Sequence, residues 1–421
     1  MTRHAPARPR AALALWLALL LLPALLPAPA RGVTEEFSTF DVESQEEDDE
    51  SLLDHLLTRA PREWREEWRR APQAIRSSQG CLTSGQWFID TDLKVVTTMG
   101  RRARFGLDLR QSESDVNSYQ NVDFTFRFPT RAGTVGALFR PLADKARQDF
   151  ALMWEAGADS AAWDVQAVFT FEDMFNNLWA FRQSRVGQNS EPYTRHPWEP
   201  ALRAAVRRPR WRAEVEGRYL TPSRQMLVNL APASDRVRTL WGTWAAASLE
   251  VELAGIAWGA AGSNRQAAST DRAVGSAGGD ARDFRRQWTA EASARRAFLP
   301  RLSAELRYLY SARVQGYRPP RAAAGFDAVD RTVQAEVRWA LAPRATARLG
   351  GLYDRITVWK RGDTGRFSYG TRNESRAYVG LVARFGRVSV AGVEGLELDP
   401  EIYPVALRYH DKGFVQLQAT F

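Results

Sequence analysis

The chain has 421 residues, 44% of them hydrophobic and 25% charged, with a mean hydropathy of -0.40, which excludes a disordered chain and a polytopic helical membrane protein. One cysteine and four histidines exclude a disulfide scaffold and a multi-cysteine zinc site, so we expect no metal site and no cofactor. The formal charge of +9 comes with arginines spread along the whole length, and this spread argues against nucleic-acid binding.

Residues 1–30 have the three parts of a secretory signal peptide. Arginines precede an unbroken apolar run over residues 11–22, and Ala28–Ala30 forms a small-x-small cleavage signature. The run is shorter than the roughly 20 residues that a spanning helix needs. The sequence therefore predicts a leader that is cleaved.

Residues 31–82 predict an acidic tether followed by two short amphipathic helices. The segment 35–50 is rich in Asp and Glu and nearly free of aliphatic residues, as in a solvated linker. Ser51 can cap a helix that carries four leucines, and Trp64 and Trp68 share one face of a second helix. These helices could plug a pore from the periplasmic side, lie on a membrane, bind a periplasmic partner, or pack against the main domain.

From residue 83 to residue 421 apolar and polar residues alternate. In residues 102–110 every odd-numbered residue is apolar, and every even-numbered one is charged or glycine. A period of two predicts strands with one apolar and one polar face. The alternation recurs over residues 122–128, 163–170, 211–219, 301–310 and 332–339.

Three features favour a transmembrane barrel over a soluble β-sandwich. The predicted strands run about ten residues, which suits a tilted membrane crossing better than the soluble average of about five or six. A strand in lipid must pair both of its edges, and a closed barrel satisfies this requirement. Aromatic residues also crowd near the strand ends, where an interfacial girdle would place them: Trp87, Trp154, Trp241, Trp258, Trp288, Tyr353, Trp359 and Tyr409.

The predicted connections alternate in length. Residues 297–301 and 342–344 are tight and contain proline, whereas residues 259–282, 314–328 and 360–376 are long, polar and rich in glycine. Short turns at one end and long loops at the other are typical of outer-membrane barrels, whose long loops face outward.

The C-terminus gives the most specific resemblance. After a turn at residues 410–413, Val415, Leu417, Ala419 and Phe421 alternate with polar residues. This segment resembles the terminal strand of Gram-negative outer-membrane β-barrels, the porin-like superfamily, whose assembly machinery recognises a final strand that ends in an aromatic residue. The resemblance covers about nine residues and identifies no particular family. It implies an outer-membrane location, contact with outer-membrane lipids and lipopolysaccharide, and Phe421 as the assembly signal for the barrel-assembly machinery.

The fold class predicted from these patterns is all-β, a closed antiparallel transmembrane barrel with a short helical N-terminal segment. At roughly 20 residues per strand and connection, residues 83–421 hold about 16 strands, within a range of 14 to 18. Two stretches leave the count open: residues 172–182, which are a strand or an interfacial turn, and residues 236–258, where a tight turn near Ser248 is an option.

The polar face of the strands supplies the candidate lumen-lining residues. Mixed charges either stiffen the wall as salt bridges or select ions at a constriction, which the sequence does not locate. The candidates are Arg104, Asp108, Arg110, Arg127, Arg212, Glu214, Glu216, Arg218, Arg307, Glu336, Arg338 and Arg348.

A barrel of this size predicts a channel, a passive or export conduit for small or polymeric solutes. One alternative is a polysaccharide or secretion-system export barrel that docks a periplasmic partner through its N-terminal segment. Another is a structural or adhesive barrel occluded by its loops. We expect no enzyme and no catalytic residue, because His55, His196 and His410, the histidines left after leader removal, lack nearby Ser-x-His or His-x-Ser spacing.

Overall fold

The computed structural model describes residues 71–81, 87–99, 103–114, 118–140, 148–157, 162–172, 193–227, 236–273, 281–318, 325–362, 365–397 and 412–421. Among these residues no helix is long and apolar enough to cross a membrane. The predicted leader, the acidic tether and both amphipathic helices fall in residues 1–70, outside the described residues.

The described residues form nineteen strands. They are β1 (Gln73–Cys81), β2 (Trp87–Met99), β3 (Ala103–Ser114), β4 (Ser118–Thr130), β5 (Gly133–Phe139), β6 (Gln148–Ala156), β7 (Trp163–Glu172), β8 (Tyr193–Arg195), β9 (Trp198–Arg208), β10 (Trp211–Leu227), β11 (Arg236–Leu253), β12 (Ile256–Ala273), β13 (Ala281–Leu299), β14 (Leu302–Arg318), β15 (Gly325–Ala342), β16 (Ala345–Gly362), β17 (Gly365–Phe385), β18 (Val388–Glu397) and β19 (Lys412–Thr420).

Eighteen of these strands close into one antiparallel ring. Each strand pairs with its neighbour in the chain, except that β7 pairs with β9 while the three-residue β8 lies only against β10. β1 pairs with both β2 and β19, and the Phe421 N–H donates to the Gln73 carbonyl at 2.9 Å. The predicted closed antiparallel barrel is confirmed, with 18 strands rather than about 16.

Two local features differ from the predicted strand boundaries, and the first of them adds a strand. β1, with the sequence Gln-Ala-Ile-Arg-Ser-Ser-Gln-Gly-Cys, is small and polar and shows no apolar alternation, although it belongs to the ring. The ring therefore begins before the predicted start at residue 83. β11 runs unbroken through Ser248, and the turn lies at Ala254 and Gly255, where both φ angles are positive (54° and 73°) as a type I′ hairpin turn requires.

The two ends of the barrel differ in their connections. Turns at residues 131–132, 209–210, 254–255, 300–301, 343–344 and 386–387 define the tight-turn end, where β1 also begins and β19 ends. The opposite end is the loop end.

The predicted long loops at the loop end are mostly strand. β12 continues to Ala273 and β14 to Arg318, and only residues 363–364 separate β16 from β17. The expectation of loops over residues 259–282, 314–328 and 360–376 was therefore wrong over most of their lengths. Strand pairing continues beyond the apolar band, where outward side chains no longer need to be apolar and the period of two disappears.

The outer face of the wall is apolar. Leu306, Val337, Leu349 and Val379 alternate with inward polar residues, and between 42% and 63% of each is exposed. Aromatic residues on the same face include Trp87, Trp154, Trp241, Trp258 and Tyr353, all exposed. A closed barrel with an exposed apolar band and aromatic residues near its strand ends presents the surface that lipid covers.

Candidate functional site: the inner wall

Charged side chains on the inner wall of β13–β15 form a ladder of alternating sign. Arg307 on β14 lies between Glu291 on β13 (3.1 Å) and Glu305 on its own strand (2.7 Å). Glu305 also binds Arg338 of β15, at 2.8 Å. Each carboxylate therefore has an arginine on the neighbouring strand, which ties the three strands together across their backbone hydrogen bonds.

The ladder ends at Glu336, which is 3% exposed. It accepts hydrogen bonds from Arg338, from Arg348 Nη2 at 2.6 Å, and from Tyr378 Oη at 2.7 Å. Gln334 Nε2 donates to the same Tyr378 oxygen at 2.8 Å. Every described polar group around Glu336 has a partner, so this carboxylate is a fixed element of the wall.

Tyr378 reaches Glu336 by crossing an intervening strand. Glu336, Gly350 and Tyr378 occupy one register row on β15, β16 and β17. A Cβ atom at residue 350 would overlap the Tyr378 ring, so only glycine leaves room for the ring to lie against the wall. The sequence signals of this arrangement are an aromatic residue at 378 that breaks the alternation and the pair Gly350-Gly351.

A second ladder lies on β9–β11. Glu214 accepts from Arg203 at 2.7 Å and from Arg212 at 3.0 Å. Arg218 donates to Glu216 at 2.8 Å, and its guanidinium lies 4.8 Å from the centre of the Trp244 ring. Because Trp244 is on β11, this cation–π contact extends the ladder over a third strand.

A third group of ion pairs lies beside the closing seam of the barrel. Arg76 of β1 donates to Asp92 of β2 through two nitrogens, at 2.9 and 2.5 Å, and Arg110 of β3 lies 3.6 Å from the same carboxylate. On β4, Asp123 is bound by Arg140. The first strand, which the apolar pattern does not reveal, is thus fixed by an inward ion pair.

The twelve candidate lumen residues all lie opposite the exposed apolar face, on the inner side of the wall. Four belong to the first ladder, which Arg348 extends to β16 (Arg307, Glu336, Arg338, Arg348), four to β10 (Arg212, Glu214, Glu216, Arg218), and four to β3 and β4 (Arg104, Asp108, Arg110, Arg127). The structure does not gather them into one cluster but distributes them over these three groups. That they line a conducting path stays a prediction.

A cavity of about 650 Å³ opens on the inner wall at the tight-turn end, and we call it the vestibule. Among the described residues that line it, arginines outnumber glutamates by eight to five. The arginines are Arg207, Arg208, Arg210, Arg212, Arg295, Arg307, Arg338 and Arg348, and the glutamates are Glu250, Glu252, Glu291, Glu305 and Glu336. The vestibule therefore has a net positive lining.

The inner wall also carries apolar side chains, which the alternation does not predict. Leu309, Leu352, Tyr378, Val393 and Phe414 form one buried cluster, each less than 9% exposed. Their sequence signal is weak, since an inward apolar residue such as Leu309 or Tyr378 lies between outward apolar or aromatic residues and interrupts the alternation. The wall therefore has apolar sections in addition to the charged ladders.

A second inward apolar cluster lies on β6, β7 and β9. It consists of Ala151, Met153, Val168 and Ala201, with Leu138 of β5 packed against it. Val168 lies between Ala167 and Phe169 in the sequence, so the run is apolar on both faces.

Within the described part of the chain no group of three or more His, Cys, Asp or Glu side chains could hold a metal ion.

Solved structures similar to the chain are outer-membrane proteins. OmpT of Vibrio cholerae in its trimer form is 10% identical, with a TM-score of 0.39, over 83% of this chain and 98% of that one. A bacterial polysaccharide outer membrane secretin is 11% identical, with a TM-score of 0.41, over 83% and 97%. CdiB from Acinetobacter baumannii is 9% identical, with a TM-score of 0.41, over 83% and 60%. No family model and no curated protein matches the chain.

The closed ring and its apolar exterior confirm, at the level of architecture, the predicted resemblance to the outer-membrane β-barrel superfamily. No specific family within the superfamily follows from them.

Proposed function

We propose that the chain is a Gram-negative outer-membrane channel that conducts small or polymeric anionic solutes. The observation that carries the proposal is the vestibule, with its eight arginines and five glutamates at the tight-turn end. A charged mouth with low-dielectric walls concentrates ions of the opposite sign and selects among them. We propose a non-enzymatic role, since the glutamates of the two ladders are partners of arginines.

Ion pairs hold five of the eight arginines: Arg207 with Asp164, Arg212 with Glu214, and Arg307, Arg338 and Arg348 with glutamates of the first ladder. Glu305 and Glu336 each bind two arginines. Arg208, Arg210 and Arg295 are exposed, and an anion that enters at the tight-turn end meets these guanidinium groups first. Guanidinium groups bind carboxylates and phosphates through paired hydrogen bonds, so these two classes of anion suit the vestibule.

The N-terminal segment supports an export variant of the same proposal. Because β1 begins at Gln73 at the tight-turn end, the N-terminal segment joins the barrel at the same end as the vestibule. Residues 31–72, the part of the predicted N-terminal segment that precedes β1, would then stand where a periplasmic partner could dock. A variant that lacks residues 35–50 should conduct as the full chain does but lose capture of that partner.

An occluded structural barrel is the second candidate function. The inward apolar clusters favour it, because buried Leu309, Leu352 and Phe414 narrow the water-lined part of the wall. Ion conduction separates the two candidates, since an occluded barrel stays silent in a planar bilayer.

The experiment is conductance and reversal potential of the full chain in a planar bilayer with a KCl gradient. We expect steady conductance with chloride preferred over potassium, and Arg210→Glu should move the reversal potential toward potassium. Arg272→Glu is the matched control, because Arg272 is exposed near the loop end, away from the vestibule. A silent barrel favours the occluded alternative, and potassium preference in the unmodified protein contradicts the anion proposal.

A further inference from the structure

Two arginines face outward side by side on the lipid-facing wall. Arg331 of β15 and Arg355 of β16 are register partners, and both are exposed. They share the outer face with Val333 and Tyr353, which are 39% and 46% exposed. Like charges directly opposite on neighbouring strands repel each other, so this pair needs an anion to be favourable.

The described outward side chains around the pair supply no carboxylate. The row that contains the pair runs from Tyr310 on β14 through Arg331 and Arg355 to Asn373 on β17. The outward residues one step above and below this row are Tyr308, Ala312, Val329, Val333, Tyr353, Thr357, Thr371 and Ser375. Tyrosine, threonine, serine and asparagine around two guanidinium groups form a polar cradle open to one anion.

The height of the pair on the wall indicates the source of that anion. Arg331 lies ten residues along β15 from Leu341, which is outward and exposed near the tight-turn end. At about 3.3 Å per residue and a tilt of about 40°, this spans about 25 Å along the barrel axis, the usual height of the apolar band. The pair therefore stands at the boundary of the band nearer the loop end, where lipid headgroups lie.

We propose that Arg331 and Arg355 bind the phosphate of a lipid headgroup in the leaflet at the loop end. Two adjacent guanidinium groups can each donate two hydrogen bonds to one phosphate, and the bound phosphate removes their mutual repulsion. Tyr310 and Tyr353 flank the pair at the depth where aromatic side chains meet headgroups. The inference depends on the proposed function only in that both place the barrel in an outer membrane.

The test is native mass spectrometry of the full chain in detergent, titrated with a bis-phosphorylated lipid A. The variant Arg331→Gln/Arg355→Gln should bind at least ten-fold more weakly than the unmodified protein. The matched control, Arg272→Gln/Arg296→Gln, removes two exposed outward arginines whose register partners are apolar and should bind as the unmodified protein does. Heat-modifiability on gels checks that both variants remain folded.

Further arms separate the possible sources of phosphate. Phosphatidylglycerol binding with the same loss in the variant would extend the site to phospholipids, whereas equal binding of dephosphorylated lipid A would overturn the proposal. Competition by inorganic phosphate at concentrations equal to those of the lipid would show a free-anion site and overturn the lipid assignment. Conductance should be the same in the outward variant, so failure of lipid binding and failure of the channel proposal are distinguishable.

Discussion

The Tyr378 hydroxyl lies 2.7 Å from Glu336 Oε2 although the two residues are separated by a whole strand. The ring spans this gap because Gly350 on the intervening strand presents no side chain. The contact therefore joins β15 and β17 over β16, in addition to the backbone ladders of both strand pairs. It makes the geometry of three strands depend on one glycine.

Gly350→Val should displace the Tyr378 ring and break its hydrogen bonds with Glu336 and Gln334. Overpacking together with the lost hydrogen bonds lowers the free energy of unfolding by about 2–4 kcal/mol. Urea unfolding of the barrel in vesicles, followed by tryptophan fluorescence, measures the loss. Gly370→Ala is the control, because a Cβ at residue 370 meets nothing within 4 Å. Equal stability of both variants would remove the structural role of Gly350.

Glu336→Gln tests the carboxylate at the end of the ladder. The variant leaves Arg338 and Arg348 without their shared negative partner, and breaking such a network costs about 2–4 kcal/mol. Removal of a negative charge beside the vestibule should also strengthen anion preference, which the reversal potential reports. Tyr378→Phe removes the hydrogen bonds of the hydroxyl with Glu336 and Gln334 but no charge, so it should lower stability by about 1–2 kcal/mol without changing ion selectivity.

The period of two predicted the faces of the strands inside the apolar band. Val333, Val337 and Trp339 lie outward and Gln334 and Glu336 lie inward, as their alternation indicates. The same signal missed β1, whose residues are small and polar, and it missed the strand extensions at the loop end. At the loop end the outward side chains lie beyond the apolar band, and β1 presents Ser77 and Gln79 beside Leu417 and Val415, so hydropathy reveals neither pairing.

The ion-pair partners could not be predicted from one strand at a time. Arg338 and Glu305 are 33 residues apart in sequence, and they meet because of the register between β14 and β15. That register depends on turn geometry and on closure of the whole ring, which local alternation does not encode. The residue types of the inner wall were therefore predictable, whereas their pairing into three groups was not.

Deletion of Phe421 should lower the amount of heat-modifiable, membrane-inserted barrel in cells. Phe421 is 59% exposed, so its ring adds little to the core, and its N–H closes the seam to Gln73. Phe421→Tyr keeps an aromatic end and should insert normally. Unchanged insertion after the deletion would show that assembly does not depend on the terminal aromatic residue.

The orientation of the barrel can be tested with single cysteines in a Cys81→Ser background. Gly365 lies at the loop end and Pro343 at the tight-turn end. On whole cells a membrane-impermeant maleimide should label Gly365→Cys and not Pro343→Cys, and both should label after the outer membrane is opened. The reverse pattern would place the tight-turn end outside the cell.

The neighbouring residues Leu107 and Asp108 test the face assignment of β3. Leu107 is paired with Phe124 of β4 on the outer side, and Asp108 is paired with Lys94 and Asp123 on the inner side. An arginine in lipid costs about 2–4 kcal/mol near the midplane, so Leu107→Arg should lower insertion measured by heat-modifiability. Asp108→Arg should insert normally and shift the reversal potential toward anions.

The same two variants separate the alternatives that remain. A slip of one residue in the register of β3 would exchange the two outcomes, because successive side chains face opposite sides of the wall. An occluded barrel that carries Asp108→Arg would still insert into the membrane. It would show no conductance, so no reversal potential could be measured. Leu107→Ala, which is small but apolar, controls for loss of packing and should insert far better than Leu107→Arg. Equal tolerance of arginine at both positions would contradict the assignment of an outer lipid face and an inner charged face to β3.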